Sequence, residues 1–155
     1  MSVIHTENLS RYYGRRVGTE NVNLQIEAGE IFGFLGPNGA GKWTTISLLL
    51  GCLKPDSGQA QIFGKDCWSD SAHAKRDVGY LPGDLRLYPW LTARRALRTF
   101  GMIRGVDLTA PGLALAEQFR LELDVPVRRM SRGNRPKVGL VLALAHRPKL
   151  IVLGD

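Results

Sequence analysis

The pattern of hydrophobic and polar residues predicts strands and helices along most of this chain. Val22, Leu24 and Ile26 are separated by polar residues, and this period of two is typical of a half-buried strand. A turn is predicted at residues 27–30 (EAGE), and the short apolar run at residues 31–35 predicts a strand that is buried on both faces. The predicted strands, in chain order, lie at residues 22–26, 31–35, 59–63, 78–81 and 149–153. The predicted helices lie at residues 43–53, after residue 92 to about 103, from about residue 111, and after residue 131 to about 145.

Local signals mark the starts of three of these helices. Thr92 is of a residue type that caps helix N-termini, and Ser131 is a candidate cap for the last helix. Pro111 is expected in a first turn, where proline is tolerated. Pro136 costs little in a first turn but about 3 kcal/mol or more in a helix interior. The effect of Pro136 therefore depends on where the last helix begins.

The composition is that of a folded globular domain. The chain has 155 residues, of which 44% are hydrophobic and 23% are charged, which is enough for one ordinary core. No apolar run approaches the ~20 residues that cross a bilayer; the longest, at residues 138–145, predicts a buried helix. No secretory signal is visible, and Cys52 and Cys67 lack metal-ligand spacing. A reduced, cytoplasmic protein is the simplest interpretation.

The charge balance is basic. The formal net charge is +7, which suits polyphosphate, nucleic acid or an anionic membrane surface. Five cations fall within ten residues: Arg128, Arg129, Arg132, Arg135 and Lys137. A solvated arginine-rich surface is the simpler interpretation, so charge alone assigns no partner.

Residues 36–42 (GPNGAGK) have the spacing of a phosphate-binding loop, Gly-x-x-x-x-Gly-Lys. The glycines let backbone N–H groups converge on an anion, and the following helix adds its partial positive charge. Lys42 supplies a full positive charge for the β- and γ-phosphates. The predicted strand before the loop and the helix after it are the context that this motif requires. An incidental glycine-rich turn is the weaker alternative, so we expect the loop to bind the phosphates of a nucleotide.

Trp43 stands where such a loop normally offers a hydroxyl group to Mg²⁺. An indole has only an N–H donor and cannot coordinate a cation. Thr44 carries a hydroxyl group, but it lies one residue further on, ~100° around the helix. Binding through the backbone and Lys42 is expected to survive, whereas metal-assisted chemistry is expected to suffer.

Together with this loop, four other segments resemble the cytoplasmic nucleotide-binding subunit of ATP-binding cassette (ABC) transporters, of an exporter-like kind. In chain order the five segments are YYG (12–14), GPNGAGKWT (36–44), VGYLPGDLRLYPWLT (78–92), MSRGNRPKVGLVLALAHRPKL (130–150) and IVLGD (151–155). The resemblance implies an α/β fold, with a P-loop NTPase core, an antiparallel β subdomain and a helical subdomain at about residues 84–128. Residues 1–155 would then be a partial nucleotide-binding domain, incomplete at the C-terminus.

The resemblance also implies roles for individual residues. Tyr13 would stack on adenine, the alternative being a surface tyrosine at a strand end. Ser131 and Gly133 belong to SRGN, which is similar to the family's signature loop and would contact the γ-phosphate held by the opposite subunit of a dimer. The residues assigned to nucleotide binding are Tyr13, Gly36, Pro37, Asn38, Gly39, Ala40, Gly41, Lys42, Trp43, Thr44, Ser131 and Gly133.

Further positions depart from the family pattern. Gly83 stands where the family has a glutamine that contacts the metal and the attacking water, and Gly154 stands where an aspartate holds Mg²⁺ through water. Asp155 occupies the place of the catalytic glutamate, with a side chain one methylene shorter, and is the one candidate catalytic residue. No residue is assigned as a metal ligand. ATP is the expected cofactor, and Mg²⁺, which intact relatives use, lacks its usual ligands here.

The function implied by the resemblance is the coupling of ATP binding and hydrolysis to transport through a membrane permease. For this chain we expect nucleotide binding with very weak or absent hydrolysis. The expected partners are a transmembrane permease and a second nucleotide-binding domain, which would hold the chain on the cytoplasmic side of the membrane. One alternative is a degenerate, non-catalytic ATP-binding module. The other is an ABC-type protein that acts on RNA or ribosomes; it ranks last because no second cassette or long charged linker is present, and nucleic acid is not an expected partner.

The resemblance finally predicts low stability for these residues by themselves. In the family, a later strand lies between the P-loop strand and the last strand found here, and its end carries a histidine that contacts the γ-phosphate. Without it, two strands of buried type would have unpaired backbone edges. We therefore expect a melting midpoint below roughly 60 °C.

Overall fold

The computed structural model describes residues 1–154 and divides the chain into two compact units, Met1–Arg76 and Asp77–Asp155. Each unit is described by itself below. Asp155, the candidate catalytic residue, lies outside the described residues.

The first unit is built on an antiparallel sheet with the strand order β2-β1-β3-β4. Strands β1 and β2 form a hairpin whose tight turn contains Gly14 at φ +61°, a conformation that favours glycine. The elements of this unit are β1 (Ser2–Tyr13), β2 (Arg16–Glu27), α1 (Lys42–Leu49), β3 (Ser57–Ile62), β4 (Lys65–Asp66) and the short helix α2 (Ser71–Ala74). This sheet confirms the predicted antiparallel β subdomain.

Helix α1 and the sheet share the core of the first unit. Leu9, Leu48 and Ile62 are each almost completely buried, and the buried hydroxyl groups of Thr19 on β2 and Thr45 on α1 lie 3.0 Å apart. The alternation at Val22, Leu24 and Ile26 is confirmed as a half-buried stretch of β2. These contacts fix the N-terminal half of α1 against β2.

Helix α1 ends four residues before the predicted end at residue 53. Gly51 adopts φ +63° and donates its N–H to Leu48 O, while Cys52 donates to Ser47 O. This pair of bonds is a Schellman motif, which closes a helix on a left-handed glycine. The glycine in the sequence was the stop signal.

The second unit combines a two-stranded parallel sheet with three helices. Its elements are β5 (Val78–Leu81), α3 (Ala93–Arg104), α4 (Thr109–Gln118), a 3₁₀ turn (Val127–Arg129), α5 (Asn134–Leu144) and β6 (Leu150–Leu153). The predicted strand at residues 78–81 is confirmed at both ends, and Thr92 caps α3 as predicted by accepting the N–H of Arg95 at 3.2 Å. Apolar residues of the helical part, among them Leu97, Leu108, Val138 and Val141, form one buried cluster.

Helix α5 packs closely on β5 and on the segment that follows it. A Cβ on Gly79 would lie 2.3 Å from Ala143 O, and one on Gly139 would lie 2.4 Å from Leu81 Cδ1. The apolar run at residues 138–145 is helical through residue 144, as predicted; its five other residues are buried, whereas Leu140, Leu142 and Leu144 are half-buried. Pro136 is the third residue of α5, so it lies in the first turn, where its missing N–H removes no helical bond. No helix within residues 1–154 is long and apolar enough to cross a membrane.

Two of the predicted buried strands differ from expectation. Residues 31–35 form no strand, and Ile31 and Leu35 are fully or nearly fully exposed. The strand at residues 149–153 forms as β6, but Ile151 and Leu153 are exposed rather than buried. A strand buried on both faces needs neighbours on both edges, and within residues 1–154 β6 pairs only with β5 and no strand pairs with residues 31–35.

Candidate functional site

The phosphate-binding loop predicted at residues 36–41 forms a loop that leads directly into α1. Gly39 and Gly41 adopt φ +84° and +86°, left-handed conformations that other residues rarely reach. Ala40 donates its N–H to Pro37 O at 3.1 Å, which tightens the loop. The N–H groups of Trp43 and Thr44 lie in the first turn of α1, where no helical carbonyl can accept them. This end of the helix therefore presents backbone donors and a partial positive charge.

Gly18, the third residue of β2, brings three parts of the candidate site together. A Cβ at Gly18 would lie 2.6 Å from Tyr13 Cε2 and 3.1 Å from Thr44 Cγ2. A Cβ at Gly41 would in turn lie 2.3 Å from Gly18 O. The ring of Tyr13, the end of the loop and the first turn of α1 thus meet at a position that only glycine fits. Of the residues that the sequence assigned to the nucleotide site, Tyr13, Gly41 and Thr44 therefore lie close together in the first unit.

The two side chains after Lys42 differ in burial. Trp43 is 66% exposed, so its indole is not packed into the core of its unit. Thr44 is 6% exposed, and its methyl carbon Cγ2 packs towards Gly18. Glycine amides, a helix N-terminus and Lys42 form a donor set that fits an anionic phosphate chain. The same set does not fit Mg²⁺, because hard cations need oxygen ligands.

Tyr13 lies at the end of β1 beside the hairpin turn and is 40% exposed. Two residues earlier on the same strand, the guanidinium carbon of Arg11 lies 5.5 Å from the centre of the Tyr13 ring. This separation is within the range of a cation–π interaction. Tyr13 therefore keeps an accessible ring surface next to the phosphate loop while a cation lies against the ring.

The signature-like residues Ser131 and Gly133 lie in the second unit, at the start of α5. Both are exposed, and the first helical residues Asn134 and Arg135 donate their N–H groups to Ser131 O. The N-cap is Gly133, with no side-chain capping bond. The expectation that Ser131 caps this helix is therefore wrong. The helix begins only after a turn at residues 131–133, and its first N–H groups bond to the backbone carbonyl of Ser131 and not to its hydroxyl group.

Gly83 and Gly154 lie next to each other at the end of the parallel pair. Gly154 donates its N–H to Leu81 O at 2.8 Å, and a Cβ on Gly154 would lie 2.8 Å from Gly83 N. Neither glycine has a side chain that could hold a metal or a water. Throughout residues 1–154, no group of three or more His, Cys, Asp or Glu side chains could hold a metal ion.

Sequence reasoning missed Gly18 and Arg11 as parts of this region. A glycine inside a strand is a signal for a close approach of backbone or ligand, so Gly18 could have been found. Arg11 and Tyr13 are two residues apart on β1, but the strand shifts register between Arg11 and Tyr12, so regular alternation does not predict their contact. Their ring contact depends on a side-chain conformation that the sequence does not specify.

Comparison with known proteins places the chain in a family. The family model described as ABC transporter matches residues 19–155. The chain is 34% identical to the bacitracin transport ATP-binding protein BcrA of Bacillus licheniformis over 156 residues, which cover 99% of this chain and 51% of that protein. It is 30% identical to the linearmycin resistance ATP-binding protein LnrL of Bacillus subtilis, with the same coverage. The chain belongs to the ABC transporter family, and it spans about half the length of the curated relatives it matches.

A solved structure described as the ATP-binding subunit of an ABC transporter has a similar fold. It superposes with a TM-score of 0.87 at 29% identity, covering 97% of this chain and 65% of that chain. A nucleotide-free ATP-binding cassette superposes with a TM-score of 0.83 at 22% identity over 99% of this chain and 68% of that one. These matches confirm the predicted α/β fold class.

Proposed function

We propose that this chain is an ATP-binding unit of an ABC transporter that holds the nucleotide mainly without a metal ion. The observation that carries the proposal is the meeting of Tyr13, Gly41 and Thr44 at Gly18. An aromatic ring and a phosphate-binding loop at one place provide for both ends of a nucleotide. The relatives BcrA and LnrL are ATP-binding proteins by name, which supports the same assignment.

The phosphates would be bound by the loop backbone and Lys42. Amides around Gly39 and Gly41, the first turn of α1 and the Lys42 ammonium group would each donate to phosphate oxygens. These charge-assisted hydrogen bonds are about twice as strong as neutral ones. Tyr13 would contribute stacking on the base.

Hydrolysis is proposed to be very weak or absent. Mg²⁺ normally bridges the β- and γ-phosphates and neutralises the charge that develops during transfer. Trp43, Gly83 and Gly154 offer no oxygen side chain at the positions where relatives hold the metal and its water. The protein would therefore retain the binding energy of the phosphates without the electrostatic stabilisation of the transition state.

The partners follow from the family and from the exposed surfaces of each unit. We propose a membrane permease as one partner, which would hold the chain at the cytoplasmic face of the membrane, with residues 84–128 as the contact region. Tyr88 and Trp90 in this region are exposed and stacked, with ring centres 5.4 Å apart. A second nucleotide-binding domain is the other partner, met by the exposed signature-like residues Ser131 and Gly133.

Equilibrium titration with a fluorescent ATP analogue tests the binding proposal. The dissociation constant should change by less than about threefold between Mg²⁺ and a chelator. Lys42→Ala should weaken binding by about tenfold or more. The matched control is Lys54→Ala, which removes an exposed lysine after α1 and should leave the affinity unchanged. An affinity that depends strongly on Mg²⁺ would contradict the assignment of Trp43.

Phosphate release at saturating ATP tests the second half of the proposal. Ordinary enzymes turn over about once per second or faster. We expect the turnover of this chain to lie far below that range. Ordinary turnover that Lys42→Ala abolishes would show that the chain is a working ATPase. If the ATP analogue binds neither in Mg²⁺ nor in the chelator, the proposed nucleotide site is rejected.

A further inference from the structure

Arg11 is held in a fixed position against the ring of Tyr13. Its guanidinium carbon lies 5.5 Å from the ring centre, across an irregular stretch of β1 where the pairing with β2 shifts register between Arg11 and Tyr12. The Arg11 side chain is 28% exposed. The contact is therefore half-buried, where a cation–π interaction is less weakened by water than on an open surface.

Asp56 fixes the orientation of the guanidinium group. Arg11 Nη1 donates to Asp56 Oδ1 at 3.1 Å, and the backbone N–H of Tyr12 donates to Asp56 Oδ2 at 2.7 Å. Asp56 is itself tied to β1, since its N–H donates to Ser10 O at 2.9 Å. The carboxylate thus bridges the strand that carries Tyr13 and the cation that faces its ring.

The arrangement does not satisfy every donor of Arg11. Its Nε is buried and has no hydrogen-bond partner in the part of the chain that the structure describes. A buried donor without an acceptor normally destabilises a fold. Arg11 thus occupies this position although its contacts do not satisfy all of its donors.

We propose that Arg11 is a positioning residue for the nucleobase, which orients and polarises the ring of Tyr13 so that it stacks on a purine. This inference rests on the proposed nucleotide-binding function. A cation on one face of a ring draws π-electron density towards itself, so the opposite face stacks better on an electron-rich base. Purines offer the largest such face, and stacking needs only a ring held at a fixed angle. Arg11 would thereby favour ATP over a bare phosphate chain.

Calorimetric titrations with ATP, CTP and inorganic tripolyphosphate in a metal chelator test this inference on the full chain. Tripolyphosphate reports on the loop and Lys42 alone, whereas ATP adds the base. Arg11→Met keeps the length of the side chain and removes its charge; it should weaken ATP binding about tenfold and leave tripolyphosphate within about twofold. The advantage of ATP over CTP should shrink in the same variant. Arg15→Met removes the same charge from the turn of the same hairpin and should leave both ratios unchanged.

Conservative replacement separates positioning from a merely structural role. Arg11→Lys keeps a cation over the ring and should recover ATP affinity to within about threefold of the parent, which also covers the case in which Arg11→Met fails to fold. A ratio of ATP to tripolyphosphate affinity in Arg11→Lys as low as in Tyr13→Ala would overturn the inference. Equal weakening of both ligands in Arg11→Met would also overturn it. A parent chain that binds tripolyphosphate but gains nothing from the base rejects this inference alone, whereas a parent that binds neither ligand rejects the proposed function.

Discussion

Gly154 and Gly83 lie against each other, and a Cβ on Gly154 would come within 2.8 Å of Gly83 N. The N–H of Gly154 also donates to Leu81 O, so the backbones cannot separate without losing this bond. The resemblance to the family predicts that these two positions of the second unit lack metal-associated side chains. The close approach excludes a side chain at residue 154, so restoring the missing acid would need a shift of the backbone around residue 83.

Gly154→Ala is expected to lower the free energy of unfolding by about 1–3 kcal/mol, because overpacking against backbone is not relieved by side-chain movement. Urea denaturation measures this change. Gly133→Ala is the matched control: its Cβ would meet nothing within 4 Å, and stability should be unchanged or raised by up to about 1 kcal/mol. Similar values for the two variants would show that the approach at Gly154 is loose.

Gly18→Ala is expected to weaken binding of the fluorescent ATP analogue about tenfold, because the added methyl would displace the ring of Tyr13 or the first turn of α1. The free energy of unfolding should fall by about 1–3 kcal/mol in the same variant. Gly33→Ala is the matched control, because there the new Cβ would make only an ordinary contact, 3.8 Å from Leu35 Cγ. Wild-type affinity in Gly18→Ala would mean that Tyr13 and the loop do not act together.

The two cysteines should react at very different rates. Burial, with a smaller contribution from the charge of Asp66, raises the pKa of the Cys67 thiol to about 12, whereas Cys52 is exposed. Since the thiolate is the reactive form, Ellman's reagent at pH 8 should modify Cys52 quickly and Cys67 only after unfolding. The native Cys52→Ser variant should therefore show almost no fast reaction, and a second fast thiol in the parent would contradict the burial of Cys67.

Stability should fall in mild acid because of His146. Burial, and then the nearby positive charge of Arg104, lower the pKa of this imidazole below its ordinary 6.5, while its Nε2 lies 3.0 Å from Val78 O and donates to it. Below pH 6.5 the unfolded chain binds a proton that the folded chain excludes, so stability is complete above pH 6.5 and is lost as the pH falls towards the folded pKa.

Urea denaturation at pH 7.5 and 5.5 measures this effect. His146→Gln keeps a donor for Val78 O and should reduce the difference between the two pH values. His73→Gln is the control, because that side chain is 66% exposed, and it should retain the difference of the parent. An unchanged pH dependence in His146→Gln would place the effect elsewhere.

Residues 31–35 should tolerate polar substitution. Ile31→Thr and Leu35→Gln should change the free energy of unfolding by no more than about 0.5 kcal/mol, as is usual for exposed positions, and should reduce light scattering on heating because an apolar patch is removed. Leu9→Ala, at a fully buried position, is the contrasting variant and should lower the free energy of unfolding by about 2–5 kcal/mol.

The melting temperature of the parent chain tests its expected low stability. A cooperative transition above roughly 60 °C would contradict that expectation.

The sequence by itself determined the elements whose signals are local. The period of two at Val22, Leu24 and Ile26, the cap at Thr92 and the glycine spacing of residues 36–42 act over a few residues. They specify β2, α3 and the phosphate loop through backbone sterics and short-range hydrogen bonds, which do not depend on distant partners. The resemblance to the family added the fold class and the positions of the candidate site residues, which local patterns alone do not give.

Only the tertiary structure decided which apolar segments pair with a neighbouring strand and which glycines allow a close approach between distant segments. Residues 31–35 have the composition of a buried strand, but a strand forms only where a neighbour accepts its backbone bonds, and none does so among residues 1–154. The junction at Gly18 and the contact between Gly83 and Gly154 join segments far apart in the chain. Their spacing is set by the packing of whole elements against each other, which no local pattern encodes.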